Sequence, residues 1–339
     1  KTSMEKKYKC VIFGYGYMGE IRRQMIETHA NLELIAICEP NGGKINDPRN
    51  FTVVSEPASI LDSQFDIAFV ATPNNLIPEL AIACLNRGKH VFCEKPPGRN
   101  LQDILDIEAA EKANPGQKLM FGFNHRYHPA MQRARAIIES EVLGKVVTLR
   151  GIYGKSGGKN FKNSWRNTKE ISGGGILLDQ GIHMLDLFNF FAGGFNEIKA
   201  VTSNAYWKFE VEDNALVILK NPQHQTAILH SSATFWKHSF EIYIFMEKGY
   251  MEIKGFLSKS GSYGRERLII GKQQFEDEAE AVGNPSEEII YYDRDMSWQM
   301  ETDLFVDSII NDKPVTHSSS QDALNVMKII DVAYKNAGG

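Results

Sequence analysis

Up to about residue 125, the chain consists of short, unbroken apolar runs separated by longer segments with polar positions. The runs predict six strands, YKCVIF, LELIAIC, FTVV, DIAFVAT, KHVFCE and KLMFGFN. Two of the intervening segments, at about 76–87 and 101–113, have the periodicity of amphipathic helices. Unbroken apolar strands are typical of parallel sheets covered on both faces, so this half predicts a doubly wound Rossmann sheet.

Beyond Asn124 the pattern changes to strands that alternate apolar and polar positions. Helices are predicted at about 129–140, 176–192, 296–311 and 321–335. The strands are VVTLRGIY, EIKAVTSNAYW, NALVILK, QTAILHSSATFW, FEIYIFME, YMEIKG, ERLIIG and EEIIYY. Short turns join most of them, which predicts an α/β domain with an open, mainly antiparallel sheet. We therefore predict two domains, 4–125 and 126–339.

The string KCVIFGYGYMGEIRRQM places a glycine-rich turn between the first strand and a predicted helix. Gly14 permits the tight turn, Gly16 allows a phosphate to approach the main chain, and Gly19 allows helix and strand to pack closely. The positive end of the helix dipole lies behind this turn, which predicts a site for the pyrophosphate of a dinucleotide. Tyr17 and Met18, within the turn, belong to the predicted cofactor site.

Glu39 ends the second strand, twenty residues after Gly19. A carboxylate at that position can accept hydrogen bonds from an adenosine ribose diol and would repel a 2′-phosphate. We therefore expect NAD as the cofactor, with NADP as the alternative. The competing interpretation is a solvated glutamate in a turn between a strand and a helix.

The overall charge and the cysteines restrict the class of protein. The 339 residues carry a net charge of −4, which gives no general attraction to nucleic acid or to an anionic membrane. No apolar run reaches the length of a bilayer span. The four cysteines show no CxxC spacing and predict reduced, buried thiols. With no signal-peptide pattern near the start of the chain, these features predict a cytoplasmic protein.

Lys95 follows the fifth predicted strand, in the string HVFCEKPPGRN. Ligands of open α/β sheets bind at the carboxyl ends of the strands, and Pro96 restricts the backbone of Lys95 to an extended form. Lys95 could therefore donate a hydrogen bond to a substrate hydroxyl. The alternative is a surface lysine in a turn.

Asp179 and His183, in the string GGGILLDQGIHMLDL, are four residues apart and would share one face of an α-helix. A carboxylate beside an imidazole fixes the ring tautomer, so His183 could take the proton of an alcohol as hydride leaves the same carbon. The alternative is a core histidine satisfied by Asp179. His125 and His128 also share a face, but no cysteine or acidic residue lies near them, so we expect no metal site.

The segment KSGGKNFKNSWRNTK, just before this helix, contains five basic residues and no acidic one. They are Lys155, Lys159, Lys162, Arg166 and Lys169. Such a loop over a substrate cleft favours an anionic sugar-type substrate. Trp165, beside Arg166, could stack on a sugar face or on the cofactor. The alternative is a solvated basic loop.

Five motifs, in this order, resemble the Gfo/Idh/MocA family of oxidoreductases: the glycine turn, ATPNN, EKP, FNHRYHP and G-G-G-x-x-x-D-x-G-x-H. The likeness covers nearly the whole chain. It implies a Rossmann domain followed by an α/β domain on an open antiparallel sheet. It also implies NAD(P)-dependent oxidation or reduction of a sugar, inositol, uronate or nucleotide sugar, and assembly as a homodimer or homotetramer through that sheet.

The resemblance also implies roles for individual residues. His183 would be the acid/base, Asp179 its orienting group or a substrate ligand, and Lys95 a donor to the reacting oxygen. The peptide bond that follows Lys95 would be cis. Asn124 and Arg126 would face the cleft between the domains and contact the substrate.

By the same likeness, Thr72, Pro73 and Asn74 would border the nicotinamide ribose, and Glu94 would lie near the cofactor. The sequence departs from the family pattern at Ile77, where many members have a histidine. A hydrogen-bond donor near the cofactor is absent there.

Two other functions stay open. Some relatives use tightly held NAD to cleave glycosides by transient oxidation, without net formation of NADH. A non-catalytic dinucleotide-binding sensor would need only the glycine turn, so the joint presence of Lys95, Asp179 and His183 argues against it. A second departure, Pro97–Gly98–Arg99 after the EKP string, could reshape the turn that holds Lys95.

Overall fold

The computed structural model describes residues 6–41, 45, 50–158, 161–275 and 283–337. The chain forms two compact units. The first contains Lys1–Phe123, Glu170–Gly173 and Trp298–Leu324, and the second contains Asn124–Lys169, Gly174–Ser297 and Asn325–Gly339. The sequence-based boundary at residue 125 stays a prediction.

A six-stranded sheet forms the centre of the first unit, in the order β3-β2-β1-β4-β5-β6. All its strand pairs are parallel. The strands are β1 Tyr8–Phe13, β2 Leu32–Cys38, β3 Thr52–Val54, β4 Ile67–Val70, β5 His90–Cys93 and β6 Leu119–Phe121. The predicted Rossmann sheet is confirmed, because the six predicted apolar runs form its parallel strands and all but β3, at the edge, are largely buried.

Helices connect these strands, as parallel pairing requires. They are α1 Tyr17–Thr28, α2 Ala58–Leu61, α3 Ile77–Leu85 and α4 Leu101–Ala113. The bounds of α4 agree with the predicted 101–113, because Asn100 caps its first turn by accepting a hydrogen bond from the Asp103 N–H at 3.1 Å. All four cysteines are buried and free, as predicted.

The second unit contains an eight-stranded sheet in the order β14-β13-β12-β11-β7-β10-β9-β8. The strands are β7 Val146–Gly154, β8 Glu197–Ser203, β9 Asn214–Lys220, β10 Thr226–Ser232, β11 Ser239–Met246, β12 Gly249–Lys254, β13 Glu266–Lys272 and β14 Glu287–Tyr292. Only the pair β7–β10 is parallel, so the predicted mainly antiparallel sheet is confirmed.

The remaining helices are α5 Pro129–Glu139, α6 Lys169–Ser172, α7 Ile182–Ala192, α8 Ser297–Ile310 and α9 Ser320–Ala337. Helix α7 packs on the sheet where Gly151 leaves room, because a Cβ at Gly151 would lie 2.6 Å from the Met184 sulfur. The chain is helical over the whole predicted range, 176–192. A π-helical turn, Leu177–Gly181, precedes α7.

The strand register aligns several loops at one end of this second sheet. Ser203 pairs with Asn214, Asn214 with Ser232, and Ser232 with Gly154, which in turn pairs with Ser239. The loops that follow β7, β8 and β10 therefore leave the sheet at the same end. We call this the loop end of the second sheet.

Candidate functional site

The glycine turn of the first unit joins β1 to α1. Gly14 has a φ of +86°, and a Cβ there would lie 2.6 Å from the carbonyl oxygen of Ala71 on the neighbouring chain segment. Its N–H donates to the Cys38 carbonyl at 2.9 Å. A Cβ on Gly19 would collide with the Gly14 carbonyl oxygen, so the close approach of helix and strand that was predicted for Gly19 is confirmed.

Gly16 stands at the start of α1 in an extended conformation. A Cβ placed on it would meet no atom within 4 Å, so nothing in the protein fills the space beside its main chain. Tyr17 is exposed and Met18 is half-buried. Open space at a helix N-terminus suits an anionic group, and the turn could hold a pyrophosphate.

Glu39 follows β2 and lies against this turn. Its carboxylate accepts hydrogen bonds from the Tyr15 N–H at 2.8 Å and the Asn41 N–H at 3.1 Å. A carboxylate has about four acceptor positions, so two bonds leave capacity for further donors. The side chain is therefore held beside the glycine turn and could accept bonds from a ribose diol.

The side chains after β4 and β5 contact other parts of the first unit. The buried Asn74 amide donates to the Ser172 carbonyl at 2.7 Å, and Ile77, at the start of α3, is also buried. The Glu94 carboxylate receives the Arg22 guanidinium at 2.6 Å, and the same guanidinium lies 2.7 Å from Glu301. Glu94 thus belongs to a buried ion triad, and its cofactor contact stays a prediction, as do those of Thr72, Pro73 and Asn74.

Lys95 is the second residue after β5 and is half-buried. The Lys95–Pro96 peptide is cis, as the family resemblance implied. After it, Gly98 has a φ of +151° and Arg99 donates its N–H to the Asp103 carboxylate at 2.7 Å. The departure from the family motif at 97–99 is thus accommodated by a turn tied to α4.

In the second unit, His183 lies at the start of α7 and is 3% exposed. Its ring stacks on the His125 ring with centroids 3.7 Å apart and planes at 22°. His125 hydrogen-bonds Asn124 Oδ1 through Nδ1 at 3.1 Å and the Tyr153 hydroxyl through Nε2 at 3.0 Å. The two imidazoles therefore form one packed pair, which we call the imidazole pair.

These contacts determine the tautomer of neutral His125. An amide oxygen only accepts, so Nδ1 must carry the proton and Nε2 must accept from Tyr153. Burial raises the pKa of Tyr153 well above its usual value and keeps this hydroxyl protonated as a donor. His125 was considered only as a metal ligand at the sequence level, and Tyr153 was missed. The FNHRYHP string marked the position, but no local pattern reveals the stacking.

Asp179 lies in the π turn before α7. Its carboxylate accepts hydrogen bonds from Lys155 Nζ, Arg166 Nε and Gln180 Nε2, each at 3.1 Å. The orienting contact from Asp179 to His183 stays a prediction.

Two cationic side chains of the segment before α6, Lys155 and Arg166, form ion pairs with the Asp179 carboxylate. The Arg166 guanidinium also stacks on the half-buried Trp165 ring at 4.4 Å. Lys162 is exposed, and Lys159 lies outside the described residues. Two of the cations that favoured an anionic substrate thus have a carboxylate partner within the protein.

Arg126 pairs with a carboxylate of the protein, and its predicted contact with the substrate stays a prediction. Its guanidinium makes a bidentate pair with Asp186 of α7, at 2.7 Å from Nε and 2.6 Å from Nη2. Both side chains are buried. Asn124, also buried, lies 3.5 Å from the Ser297 hydroxyl. These contacts fix the segment that carries His125.

Glu212 holds the start of the π turn. Its carboxylate accepts from the N–H groups of Gly175 and Leu177 at 2.9 and 3.0 Å and from the Tyr334 hydroxyl at 2.9 Å. A side chain on Gly174 would collide with that hydroxyl, and one on Gly175 with the Glu212 carbonyl. The absence of side chains at Gly174 and Gly175 thus allows this segment to lie close to Tyr334 and to the Glu212 backbone.

The described ranges contain neither a cluster suited to a metal ion nor a helix suited to a membrane. No group of three or more His, Cys, Asp or Glu side chains could hold a metal ion there. His125 and His128, which share a face in the sequence, both bond protein groups. His128 Nδ1 lies 2.8 Å from the Glu266 carboxylate. In the same part of the chain, none of the helices combines the length and apolar character required to cross a membrane.

Comparison with known families defines the class of protein. Residues 8–123 match the profile described as the oxidoreductase family, NAD-binding Rossmann fold. Residues 131–252 match the GFO/IDH/MocA C-terminal domain. The chain belongs to the Gfo/Idh/MocA family of oxidoreductases, as its motifs implied.

Three relatives show the range of the family near this chain. Levoglucosan dehydrogenase of Pseudarthrobacter phenanthrenivorans is 36% identical over 178 residues, which are 52% of this chain and 44% of that protein. D-glucoside 3-dehydrogenase of Escherichia coli is 28% identical over 75% of this chain and 76% of that protein. The 2,7-anhydro-N-acetylneuraminate hydratase of E. coli is 28% identical over 82% and 77%. The match thus spans less than half the length of the first of these relatives.

Solved structures share the fold over the whole chain. A levoglucosan dehydrogenase in complex with NADH and levoglucosan superposes with a TM-score of 0.85 at 22% identity, covering 98% of each chain. An aldose-aldose oxidoreductase from Caulobacter crescentus complexed with glycerol gives 0.81 at 24% identity, again covering 98% of each. At these identities the likeness establishes the fold.

Proposed function

We propose that the protein is an NAD-dependent dehydrogenase that acts on a secondary alcohol of a sugar-type substrate, with His183 as the acid/base. The observation that carries this proposal is the imidazole pair. Both ring nitrogens of His125 bond protein groups, so its ring is held in place as a platform for the neighbouring imidazole. A fixed imidazole is the side chain best suited to exchange a proton near neutral pH.

The cofactor assignment rests on the first unit. The turn Gly14–Gly19 binds the pyrophosphate, and Glu39 accepts hydrogen bonds from the adenosine ribose, which favours NAD over NADP. Bound NAD supplies the acceptor for the hydride that leaves the alcohol carbon. NADH complexes of structural neighbours with the same fold support this assignment.

The substrate groups are assigned from the second unit and from the family likeness. His183 removes the hydroxyl proton, and Lys95 donates to the reacting oxygen. Asp179, flanked by Lys155 and Arg166, binds a neighbouring hydroxyl. Because a hydroxyl donates and accepts at once, a carboxylate beside cationic donors matches a neutral polyol. The names of the relatives, levoglucosan dehydrogenase and D-glucoside 3-dehydrogenase, agree with a sugar-type substrate.

We also propose a homo-oligomer that forms through the open face of the second sheet. Outward-facing side chains of β7–β10 are apolar and exposed, namely Val147, Val201, Leu216, Ile218 and Ile228. Apolar patches of this kind commonly mark protein contacts. Sedimentation of the protein should give a dimer or tetramer, and a Leu216→Glu, Ile218→Glu variant should shift it towards monomer.

The activity is tested by the appearance of NADH absorbance when NAD is mixed with a panel of sugars, polyols and methyl glycosides. Net NADH with at least one sugar is expected. Release of a free sugar from a glycoside without net NADH would instead favour the cleaving enzyme. Tight NAD binding with neither result would favour the sensor.

A further inference from the structure

The loop end of the second sheet carries three neighbouring aromatic side chains that the proposed chemistry does not use. Tyr206 and Trp207 follow β8, and Trp236 follows β10. Tyr206 is 59% exposed and Trp236 is 54% exposed. The ring centroids of these two residues lie 4.7 Å apart with planes at 74°, and Trp207 lies 5.2 Å from Tyr206. We call these three residues the aromatic shelf.

The shelf is fixed by hydrogen bonds rather than by burial of its rings. The Asp213 carboxylate, on a residue 2% exposed, accepts the N–H groups of Tyr206 and Trp207 at 2.9 Å and that of Ala205 at 3.3 Å. Burial alone would raise the pKa of Asp213, but the Trp207 and Tyr206 donors outweigh it and lower the net pKa. The Trp207 indole N–H also donates to the Ala233 carbonyl at 3.0 Å. The main chain under the shelf is therefore anchored to an ionised group.

Trp236 adopts an unfavourable backbone conformation. Its φ is +59°, in the left-handed region that a bulky side chain rarely occupies. Such a conformation is strained, and it persists where the surroundings enforce it. In this conformation the Trp236 indole is exposed to solvent and not buried. Packing of the protein core therefore does not explain the strained backbone.

The shelf adjoins the Asp179 cluster through Lys155. The Lys155 side chain lies on Asp179 at 3.1 Å, and its backbone N–H donates to Ser232 at the end of β10. Gly157 packs beneath Trp207, because a Cβ there would lie 2.6 Å from the indole. Two residues of chain span at most about 7 Å, so Lys155 and the support of the shelf are close neighbours.

We propose that the aromatic shelf is a second sugar subsite, which binds the ring attached to the sugar that is oxidised. A sugar ring has apolar C–H faces that pack on aromatic rings while its hydroxyls stay hydrated. Rigid aromatic side chains supply that contact area at a low entropic cost. The substrate class is therefore a neutral glycoside with at least two rings. The inference rests on the proposed function for the oxidised ring, but binding to the shelf can be measured separately.

The first experiment measures binding without turnover. Maltose and cellobiose are added to the protein with NADH bound, and saturation-transfer NMR reports contact with each sugar. The variants are Trp236→Gly, which removes the ring and relieves the left-handed strain, and Tyr206→Ala. The control is Phe275→Ala, because Phe275 is also 54% exposed but lies away from the aromatic shelf. It follows β13, whose last residue, Lys272, pairs with Gly249 at the end of β12 that is opposite to the loop end of the sheet.

The expected result is contact of at least one disaccharide with the parent protein and with the Phe275 variant, and a loss of about tenfold in its affinity in both shelf variants. Trp236→Gly should also unfold at a temperature equal to or above that of the parent, which separates loss of binding from loss of folding. Equal disaccharide affinity in parent and shelf variants would overturn the proposal.

Kinetics distinguish this inference from the function on which it rests. In the shelf variants, KM for the disaccharide should rise about tenfold, whereas kcat/KM for the matching monosaccharide should stay within about twofold. Sugar oxidation with no effect of Trp236 on any disaccharide would overturn the subsite and leave the dehydrogenase intact. If a disaccharide binds in a way that depends on Trp236 but no sugar is oxidised, the subsite proposal is supported and the proposed dehydrogenase activity is contradicted. A change of oligomeric state in Trp236→Gly would show a contact between two copies and overturn the subsite.

Discussion

The glycine turn of the first unit consists mainly of main-chain groups, whereas the imidazole pair of the second unit consists of side chains. The turn uses main-chain groups from one continuous segment, Gly14–Gly19, together with the nearby Glu39. The imidazole pair uses side chains from α7 and from the segment before α5, and it is supported by Tyr153 of β7. A site of main-chain groups is encoded by consecutive residues, whereas a site of side chains depends on packing between distant elements.

The largest expected effect is a loss of turnover when the imidazole pair is changed. In His183→Ala, kcat should fall about 10²- to 10⁴-fold because an acid/base group is lost. NAD affinity should stay unchanged, since the glycine turn is untouched. Steady-state kinetics and a direct NAD titration measure the two quantities. His317→Ala is the control, because His317 is exposed and belongs to the first unit. Unchanged turnover would remove His183 from the mechanism.

The stacking of the two rings in the imidazole pair is tested by two variants of His125. His125→Ala should lower kcat about 10- to 100-fold, since a small misplacement of a reacting group has an effect of that order. His125→Phe keeps a ring against His183 and should recover most of that loss. The KM for NAD should not change in either variant. If Phe and Ala behave alike, the ring contact has no positioning role, and the hydrogen bond to Tyr153 becomes the candidate instead.

The glycine turn is tested by Gly16→Ala. The added methyl meets no protein atom within 4 Å and the backbone is extended, so stability should be unchanged. The methyl would instead occupy the space assigned to the pyrophosphate, and NAD affinity should fall at least about tenfold. Gly116→Ala is the matched control, because its Cβ also meets nothing within 4 Å. Equal NAD affinity in both variants would place the dinucleotide elsewhere.

The smallest effect is expected at Glu39. Glu39→Ala removes the carboxylate that faces the ribose diol, so the preference for NAD over NADP should fall about fivefold, the equivalent of one hydrogen bond. The ratio of kcat/KM values for the two cofactors measures it. A parent enzyme that already prefers NADP would contradict the assignment of Glu39.

The sequence predicted the elements whose causes are local. Helix α4 has the bounds that its periodicity indicated, and the turn at Gly14 follows from consecutive residues. The cis peptide after Lys95 was implied only by the family resemblance. In each case the deciding residues lie within a few positions of one another.

The remaining features depend on contacts between distant parts of the chain. Lys155 and Arg166 both pair with Asp179, and they lie 24 and 13 residues away from it in the sequence. Periodicity also did not reveal that the predicted helix over 176–192 contains a π turn. His125 and His183 stack although they are far apart in sequence. Periodicity reports which face of an element is apolar, but it does not report which side chains from other elements meet that face.

The buried ion triad of the first unit limits how this protein can be recombined with its relatives. Arg22 is fully buried between Glu94, which precedes Lys95, and Glu301 on α8. A chimera that exchanged only the amino-terminal segment would leave one of these charges facing a foreign helix, and breaking a buried pair costs about 3–5 kcal/mol. The Rossmann segment and α8 must therefore be exchanged together, although the first ends at Phe123 and the second begins only at Ser297.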